Sequence, residues 1–526
     1  MKIAIAQLNY TIGDVDGNAS KIIDSINKAK AQRADLVIFA EQAVSGTPAF
    51  DLLRKTTFLE LCEDALVEIA SCCDGIAAIV GLPILTNNGT ISAAALIQDR
   101  KVLRYVGKKY ITARREMGFL TPSKGFEYAT IKGHKCAIIV GDDLSREHDF
   151  DQSVETVISI NARKYGKGTM TYRYEMMRHL AFVEGKNLVL VNQVGGSTDI
   201  VYDGTSGAMN GRGEVVLMMK NFEEDFQIFD TEAAAEPIAL PSTYNDRTRL
   251  VYEAARCGLR DFFRKNGYKK ASIGLSGGID SAVVACIAAD ALGAENVRAL
   301  LMPSPFSSFE SVEDAKELAR NLGIEYNVIP ISEIYTSVVN TLKPVIGGTE
   351  FDATEENIQT RIRTVLLMAV QNKTDYILLN SSNKSENALG LCTLYGDTAG
   401  AFSPTGDLYK SEMYDVARYI NRTFGNVIPE NILDKEPSSE LHPGQKDSDI
   451  LPPYEVVDAI LLRMIEEGQH REEIVNAGFD SEVVEKIHCM IMRNEKKRYQ
   501  FPPVLRLSMC SFGHERLMPL TNKYGD

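Results

Sequence analysis

One segment of this 526-residue chain has the residue types needed to grip a pyrophosphate. Residues 276–281 read Ser-Gly-Gly-Ile-Asp-Ser, between the apolar stretches 271–275 and 282–288. A strand that runs into hydroxyls and glycines and continues as a helix points free backbone N–H groups and the positive end of a helix dipole at one place. The spacing therefore predicts a phosphate site.

This loop lacks the Gly-Lys-Ser/Thr ending of a Walker loop and the spacing of a dinucleotide-binding fingerprint. It carries Asp280 instead, whose carboxylate is suited to magnesium. The loop resembles that of the N-type ATP pyrophosphatases, which cleave ATP between its α and β phosphates to adenylate a carboxylate or a similar oxygen. An ordinary tight turn is the alternative interpretation.

The elements around this loop are predicted to form a parallel, doubly wound sheet. Apolar strands at 271–275, 297–302, 325–331 and 376–380 alternate with helices such as 311–322. The first half of the chain also alternates short apolar runs with helical patterns, for example 19–32 and 170–184, which predicts an α/β domain of sheet layers flanked by helices. Proline and alanine interrupt the pattern at 233–242, so we expect domains at 1–240 and 245–526.

Composition favours an ordinary globular protein of two large domains. A net charge of −14 argues against a broad nucleic-acid surface. No apolar run is long enough to span a membrane, and the first residues read as a strand. Nine cysteines lack metal-binding spacing and are expected to be reduced. We therefore expect a cytoplasmic protein with small-molecule substrates and with neither nucleic acid nor membrane as a partner.

A helix predicted over 356–372 presents polar side chains beside its buried stripe. Asn357 and Arg361 lie one turn apart on another face, so Arg361 is predicted to point into a cleft. The alternative is a solvated surface arginine. The buried stripe is predicted to comprise Ile358, Ile362, Val365, Leu366 and Ala369.

A second polar cluster follows the strand at 376–380, where residues 380–386 read Asn-Ser-Ser-Asn-Lys-Ser-Glu. Ligands bind at strand ends in open α/β sheets, and Glu386 beside Asp280 would supply the oxygen ligands that magnesium prefers. Taken alone, the segment is also typical of a capped helix start. Further polar residues follow at 394–397, Lys410 and 435–441.

In this order, the motifs of the second half resemble those of NAD synthetases over about residues 245–526. They are Ser-Gly-Gly-Ile-Asp-Ser at 276–281, Glu-Asn-Ile-Gln-Thr-Arg-Ile-Arg at 356–363, Asn-Lys-Ser-Glu at 383–386, Thr-Leu-Tyr-Gly-Asp at 393–397, Leu-Pro-Pro-Tyr at 451–454 and Lys-Arg-Tyr-Gln at 497–500. The resemblance implies that ATP adenylates the nicotinate carboxylate of deamido-NAD, that magnesium neutralises the departing pyrophosphate, and that ammonia displaces AMP to give NAD. Such catalysis is positioning and charge stabilisation.

The same resemblance implies a role for each matching residue. Contacts to ATP or its pyrophosphate are implied for Ser276, Gly277, Gly278, Asp280, Ser281, Ser381, Lys410 and Ser438. Contacts to deamido-NAD, or to the partner domain, are implied for Asn357, Arg361, Asp397 and Lys497. Magnesium would be held by Asp280 and Glu386. Ser381 stands where the family usually has threonine, which keeps the hydroxyl.

In the first half, Glu41 and Lys108 each follow an apolar strand. Converging strand ends of this kind can set a general base and an oxyanion-stabilising cation around a nucleophile, although each residue alone is typical of a surface charge. With residues 192–196 and 201–204, they resemble the nitrilase-like amidase domain of glutamine-dependent NAD synthetases, an αββα sandwich that hydrolyses glutamine and passes on the ammonia. Lys109 is a weaker alternative to Lys108.

The departure from that family is at the nucleophile. The family has cysteine directly after the strand that reads 136–140 here, and this chain has Gly141. Glycine cannot form a thioester, and Cys136 is an odd number of residues away, hence on the other face of the strand. Residues 40–42 and 111–114 also differ from the family pattern, which favours natural loss of glutaminase function.

We therefore hypothesise an NAD synthetase that uses free ammonia, with the first domain retained as a scaffold or an oligomer contact. One alternative is a bifunctional enzyme that hydrolyses glutamine with a different nucleophile. Another is a first domain that binds glutamine or a partner as a ligand-binding module. The family also implies a homo-oligomer.

Overall fold

The computed structural model describes residues 1–146, 148–233, 236–241 and 246–523. The chain forms two compact units, Met1–Asp246 and Arg247–Asp526. Within the described ranges, no helix is long and apolar enough to cross a bilayer.

The first unit is built from two six-stranded sheets with helices outside them. The sheets have the strand orders β14-β1-β2-β3-β4-β5 and β13-β12-β9-β8-β7-β6. The described strands are β1 Lys2–Gln7, β2 Leu36–Ile38, β3 Ala77–Thr86, β4 Gly89–Gln98, β5 Lys101–Gly107, β6 Glu127–Ile131, β7 His134–Val140, β8 Thr156–Asn161, β9 Asn187–Asn192, β10 Val194–Ser197, β11 Ile200–Asp203, β12 Gly207–Met209, β13 Val215–Met218 and β14 Asp225–Asp230. The helices are α1 Val15–Ala31, α2 Thr56–Ser71 and α3 Thr169–Glu184.

Two apolar layers hold this unit together. Ile5 of β1 and Ile138 of β7 belong to one buried cluster between the two sheets. Ile22 of α1 and Leu66 of α2 belong to a second cluster, against the outer side of the first sheet. Helix α3 contacts β9 and β12 of the second sheet. The layers are therefore helix, sheet, sheet and helix, which confirms the predicted αββα sandwich.

The second unit is built on a four-stranded parallel sheet of order β17-β16-β15-β18. Its strands are β15 Lys270–Gly274, β16 Val297–Leu301, β17 Glu325–Val328 and β18 Tyr376–Leu378. Its helices are α4 Arg247–Asn266, α5 Ile279–Leu292, α6 Phe309–Leu322, α7 Ser332–Ile346, α8 Ala353–Lys373, α9 Lys384–Leu389, α10 Lys410–Phe424, α11 Glu430–Asp434, α12 Tyr454–Ile465, α13 Arg471–Asn476, α14 Ser481–Arg493 and α15 Glu495–Arg498. The parallel, doubly wound sheet predicted from the sequence is confirmed.

Helix α8 buries a different stripe from the predicted one. Ile358 and Ile362 are buried as expected, but Val365 is 67% exposed and Ala369 is also exposed. The buried face continues instead through Leu367, because α8 packs on β15 and β18 along one side and on α7 along another. A periodic pattern predicts the helix, but it does not predict how far the buried face extends, because the neighbouring elements decide that.

Candidate active sites

The predicted phosphate loop lies between the end of β15 and the start of α5. Gly277 has a φ of +82°, and a Cβ there would lie 2.1 Å from the Ser311 carbonyl oxygen, so the position requires glycine. The Ser276 and Ser281 hydroxyls are 3.1 Å apart, and the Gly278 N–H donates to the Ser276 hydroxyl. The loop is therefore preformed at the N-terminus of α5, the end of a helix that favours anions.

Lys410, at the start of α10, brings the two predicted metal ligands together. Its Nζ is 2.5 Å from Asp280 Oδ2 and 3.2 Å from Glu386 Oε1. Asn383 supports the same arrangement, since its Nδ2 donates to Asp280 Oδ1 and its Oδ1 accepts the Glu386 N–H, each at 2.9 Å. The bond to the Glu386 N–H is the helix cap that the sequence also predicted for this segment. The segment therefore both caps α9 and supplies a carboxylate to the candidate site.

Burial raises the pKa of Glu386 to about 7, with the Asp280 charge adding to the rise and Lys410 opposing it. The two carboxylates hold the pKa of Lys410 well above its usual range, although burial acts the other way. Two partly buried carboxylates this close to one cation form a donor set that fits a hard divalent ion such as Mg²⁺.

One cavity of about 310 Å³, at the carboxyl ends of the parallel strands, joins most of the predicted synthetase residues. Its lining includes Ser276, Gly277, Gly278, Asp280, Ser281, Ser381, Glu386, Asp397, Lys410 and Ser438. Apolar side chains such as Leu300, Met302 and Leu367 complete it. A mostly apolar cavity with convergent polar groups and a helix N-terminus suits a nucleotide.

Arg361 is not among the residues that line this cavity. Its side chain is exposed, and Nε donates to the Leu394 carbonyl at 3.2 Å. Arg363, two residues further along α8 and so on nearly the opposite face, lines the cavity instead and donates to the Met302 carbonyl. Burial lowers the pKa of Arg363 to about 10, against the charges of Glu440 and Asp397. Arg361 is therefore a surface arginine in this structure, as the alternative interpretation expected. The sequence analysis did not identify Arg363 as a residue that lines the cavity.

The other predicted deamido-NAD residues shape the segment 390–397. Asn357 Oδ1 accepts the Thr393 hydroxyl at 2.5 Å, and Lys497 Nζ donates to the carbonyls of Gly390 and Cys392 at 2.6 and 2.8 Å. Neither lines the cavity, whereas Asp397 does. Burial raises the pKa of Asp397 to about 6, although its carboxylate accepts the Thr393 N–H.

The segment 435–441 closes another side of the cavity, where sequence reasoning singled out only Ser438 by role. The Ser438 hydroxyl donates to the Gln445 carbonyl at 2.6 Å. Glu440 accepts the Ser308 N–H and the Ser311 hydroxyl at the start of α6, at 3.0 and 2.6 Å. Lys435, which also lines the cavity, pairs with Glu440 at 3.3 Å. Nothing in the sequence links these segments.

The first unit has a second site, centred on Lys108 at the end of β5. Lys108 Nζ lies 3.2 Å from Glu41 Oε1, 3.4 Å from Glu116 Oε2 and 3.3 Å from Asp142 Oδ2. Glu41 and Lys108 are each only 3% exposed, so they are not surface charges. Although burial opposes it, these three carboxylates raise the pKa of Lys108. Lys109 does not join the group, because its ammonium lies over the Tyr110 ring.

Gly141 faces this cluster directly. It follows β7 with a φ of +59°, and a Cβ there would lie 2.5 Å from Glu41 Oε2 and 3.0 Å from Lys108 Cε. The nucleophile position predicted from the sequence therefore faces Glu41 and Lys108, and it carries no side chain. Cys136 is fully buried in the cluster between the sheets, and burial raises the pKa of its thiol to about 12.

Sequence reasoning missed two of the three carboxylates around Lys108. Asp142 accepts the Thr112 hydroxyl at 2.7 Å, and this bond and the Lys108 charge lower the pKa of Asp142 even though burial opposes them. Burial raises the pKa of Glu116, and the Lys108 charge only partly offsets this. The position of Asp142 beside Gly141 was a usable signal, whereas no motif marks Glu116.

Comparison with known proteins gives one consistent result. The family models of carbon-nitrogen hydrolases and of NAD synthases match residues 2–235 and 251–501. The glutamine-dependent NAD(+) synthetase of Acinetobacter baylyi is 38% identical, over 99% of this chain and 98% of that one. That of Aquifex aeolicus is 36% identical over the whole of both. The glutamine-dependent NAD(+) synthetase of Acinetobacter baumannii, solved with adenosine diphosphate, is 35% identical with a TM-score of 0.78, covering 99% of this chain and 98% of that one.

Proposed function

We propose that this chain, which belongs to the family of glutamine-dependent NAD(+) synthetases and forms NAD from deamido-NAD, uses free ammonia as its nitrogen donor. One observation carries this proposal. The position facing Glu41 and Lys108 is Gly141, which has no atom that could attack the amide carbon of glutamine. A base and a cation remain, but the covalent step has no nucleophile there.

ATP is the co-substrate in this proposal, and the cavity of the second unit is its site. The nicotinate carboxylate of deamido-NAD attacks the α-phosphorus of ATP, and pyrophosphate leaves with the electrons of the broken P–O bond. The nitrogen of ammonia then attacks the acyl carbon, AMP leaves, and one proton is released as NAD forms. The relative from Acinetobacter baumannii, solved with adenosine diphosphate, supports a nucleotide at this fold.

The residues of the cavity would hold and orient these groups. The N-terminus of α5 and the hydroxyls of Ser276 and Ser281 would receive the phosphates. Lys410 and Arg363 would add positive charge where the pyrophosphate departs. Ser381 and Ser438 are further polar groups on the lining. Mg²⁺, held by Asp280 and Glu386, would neutralise pyrophosphate charge.

For deamido-NAD, the exposed lining residue Asp397 is the proposed contact. Asn357 and Lys497 would act by holding the segment that carries Asp397. Arg361 lies on the exposed face of α8 with Val365, and this face supports the proposed contact with a second copy of the chain. Gel filtration with light scattering would test the homo-oligomer, and a monomer at working concentration would reject it.

The nitrogen donor is tested by measuring NAD and AMP formation with ammonium and, separately, with glutamine. We expect turnover with ammonium, and none with glutamine once contaminating ammonium is removed enzymatically. Efficient turnover on glutamine alone would reject the proposal, while failure with every donor would reject the synthetase site itself.

One contact favours a second candidate, glutamine hydrolysis by a different nucleophile. The Ser92 hydroxyl donates to Glu41 Oε1 at 2.8 Å, so it is paired with the residue expected to act as base. An electrophilic glutamine analogue followed by peptide mapping separates the two candidates. A label on Ser92 that is lost in Ser92→Ala would favour hydrolysis, and an unlabelled first unit would favour free ammonia.

A further inference from the structure

Lys384 is a fully buried lysine that lies outside the lining of the nucleotide cavity. Its Nζ is within hydrogen-bonding distance of the Ser508 hydroxyl, Glu466 Oε1 and the Cys510 carbonyl, at 2.7, 2.8 and 2.9 Å. Asp407 Oδ1 lies 3.1 Å away. Burying an ammonium costs several kcal/mol unless partners surround it, and here four oxygens do.

Asp407 connects Lys384 to the C-terminal segment 507–511. Its Oδ2 accepts the backbone N–H groups of Leu507 and Ser508 at 2.8 and 2.7 Å, and its carboxylate also accepts the hydroxyls of Ser508 and Ser511. These bonds and the Lys384 charge lower the pKa of Asp407 despite its burial. The two buried residues therefore form a charged pair that, with Glu466 and residues 507–511, joins four separate segments.

Two of those segments carry charged groups of the cavity, Glu386 and Lys410. Lys384 is the first residue of the six-residue helix α9, two residues before Glu386, and its N–H donates to the Leu408 carbonyl at 2.7 Å. Asp407 lies three residues before Lys410. A shift of either segment would change the distances that link Glu386, Lys410 and Asp280, and those distances decide whether a cation is held well.

We propose that the Lys384–Asp407 pair is a positioning pair for the magnesium site, setting the separation of Glu386 and Lys410 without contacting any substrate. The inference rests on the proposed assignment of Mg²⁺ to Asp280 and Glu386. Its particular consequence is that loosening the pair weakens magnesium binding more than it weakens ATP binding.

The test measures Mg²⁺ binding by isothermal titration calorimetry and the Mg²⁺ concentration for half-maximal NAD formation at saturating ATP and deamido-NAD, both in folded full-length variants. For Asp407→Asn we expect an increase of about 10- to 100-fold, the usual effect of losing a support behind a metal ligand. Lys384→Arg keeps the charge but not the compact ammonium, so it should give a smaller increase. Both should raise the KM for ATP by a smaller factor than the magnesium requirement, since the proposed phosphate contacts at the N-terminus of α5 do not involve the pair.

Asp203→Asn is the matched control. It weakens the Arg173–Asp203 pair of the first unit, which is equally buried, with Nη1 and Oδ1 2.8 Å apart. It should lower stability but leave the magnesium requirement of NAD formation unchanged.

Folded Asp407→Asn and Lys384→Arg enzymes with the wild-type magnesium requirement would overturn the inference. Failure of both to fold, judged by circular dichroism, would also overturn it, because the pair would then serve the fold as a whole. Glu386→Gln tests the underlying metal assignment separately: if it leaves the magnesium requirement unchanged, the proposed metal site fails first.

Discussion

Gly141 lies in the left-handed region of backbone space, where residues with a Cβ are strained by about 1–3 kcal/mol. We predict that Gly141→Cys lowers the free energy of unfolding by about this amount and gives no NAD formation from glutamine. The added Cβ would lie 2.5 Å from Glu41 Oε2, so the Glu41 side chain must move, while Asp142 still contacts Lys108. Urea unfolding and the glutamine assay measure the two effects.

Gly75→Ala is the control for this substitution. Gly75 has a similar φ of +74° but nothing within 4 Å of an added Cβ, so it reports backbone strain without crowding. Glutamine-dependent turnover by Gly141→Cys would contradict the prediction, because it would mean that one missing thiol is the whole defect.

Glu386 gives a pH prediction, since burial raises its pKa to about 7 from an ordinary value of 4.5. Below about pH 7 a metal ion must displace a proton from this carboxyl, so the half-saturating Mg²⁺ concentration should rise toward about tenfold per pH unit. Half-saturation is the readout because free ammonia also falls with pH. Glu386→Gln should bind magnesium weakly with a flatter pH dependence, and an equally steep dependence in that variant would assign the titration elsewhere.

The same shift has a defined sign for stability without metal. A carboxyl whose pKa is higher in the folded state than in the unfolded state binds more protons when folded. Its contribution is therefore most favourable below its unfolded value and is lost as pH rises through about 7.

At the scale of elements, the turn between β15 and α5 depends on Gly277. A Cβ at this position would lie 2.1 Å from the Ser311 carbonyl oxygen, so Gly277→Ala must move the loop or α6. We predict that kcat/KM for ATP falls about 100-fold, the effect expected when binding groups move by about 1 Å. Steady-state kinetics with ammonium as donor measures it.

Gly323→Ala provides the comparison for that loop. Gly323 also has a positive φ, +69°, at the C-terminal end of α6, and nothing lies within 4 Å of an added Cβ. It should reduce stability modestly and leave the KM for ATP unchanged. A similar loss of ATP use in both variants would mean that α6, rather than the loop, is responsible.

Helix α8 illustrates how far the sequence alone could predict this site. Its period and its polar residues identified a helix beside the cavity, and the loop at 276–281 could be recognised from local chemistry. The sequence could not show which arginine enters the cavity, because the packing around α8 decides where the side chains of Arg361 and Arg363 point. Likewise, Glu116 reaches Lys108 and Glu440 reaches Ser311 through tertiary folding that no local pattern encodes.

At the scale of the whole molecule, the two units have separate apolar cores, which predicts two calorimetric unfolding transitions. A nucleotide with magnesium at about 100 times its dissociation constant adds about 2.7 kcal/mol to one unit, which raises its Tm by several degrees. We predict that only one transition moves, and that Gly141→Cys lowers the other. Differential scanning calorimetry checks both, and a single transition that shifts as one would contradict the prediction.

The fold class could be predicted from the sequence, because alternating strands and helices are typical of layered α/β structures. The strand order could not be predicted, since β14 pairs with β1 across more than two hundred residues. The first six-stranded sheet depends on this pairing between distant segments, so composition and periodicity predict its layer without giving the order of its strands.

Glycine at position 141 has an evolutionary consequence. A cysteine at this position would have to adopt a costly left-handed backbone conformation, whereas glycine adopts it freely. If free ammonia is the nitrogen donor as proposed, losing the glutaminase reaction and relieving conformational strain would be the same event. Once ambient ammonium suffices, selection for stability alone would retain the glycine, and a reversion would have to regain activity while accepting a less stable domain.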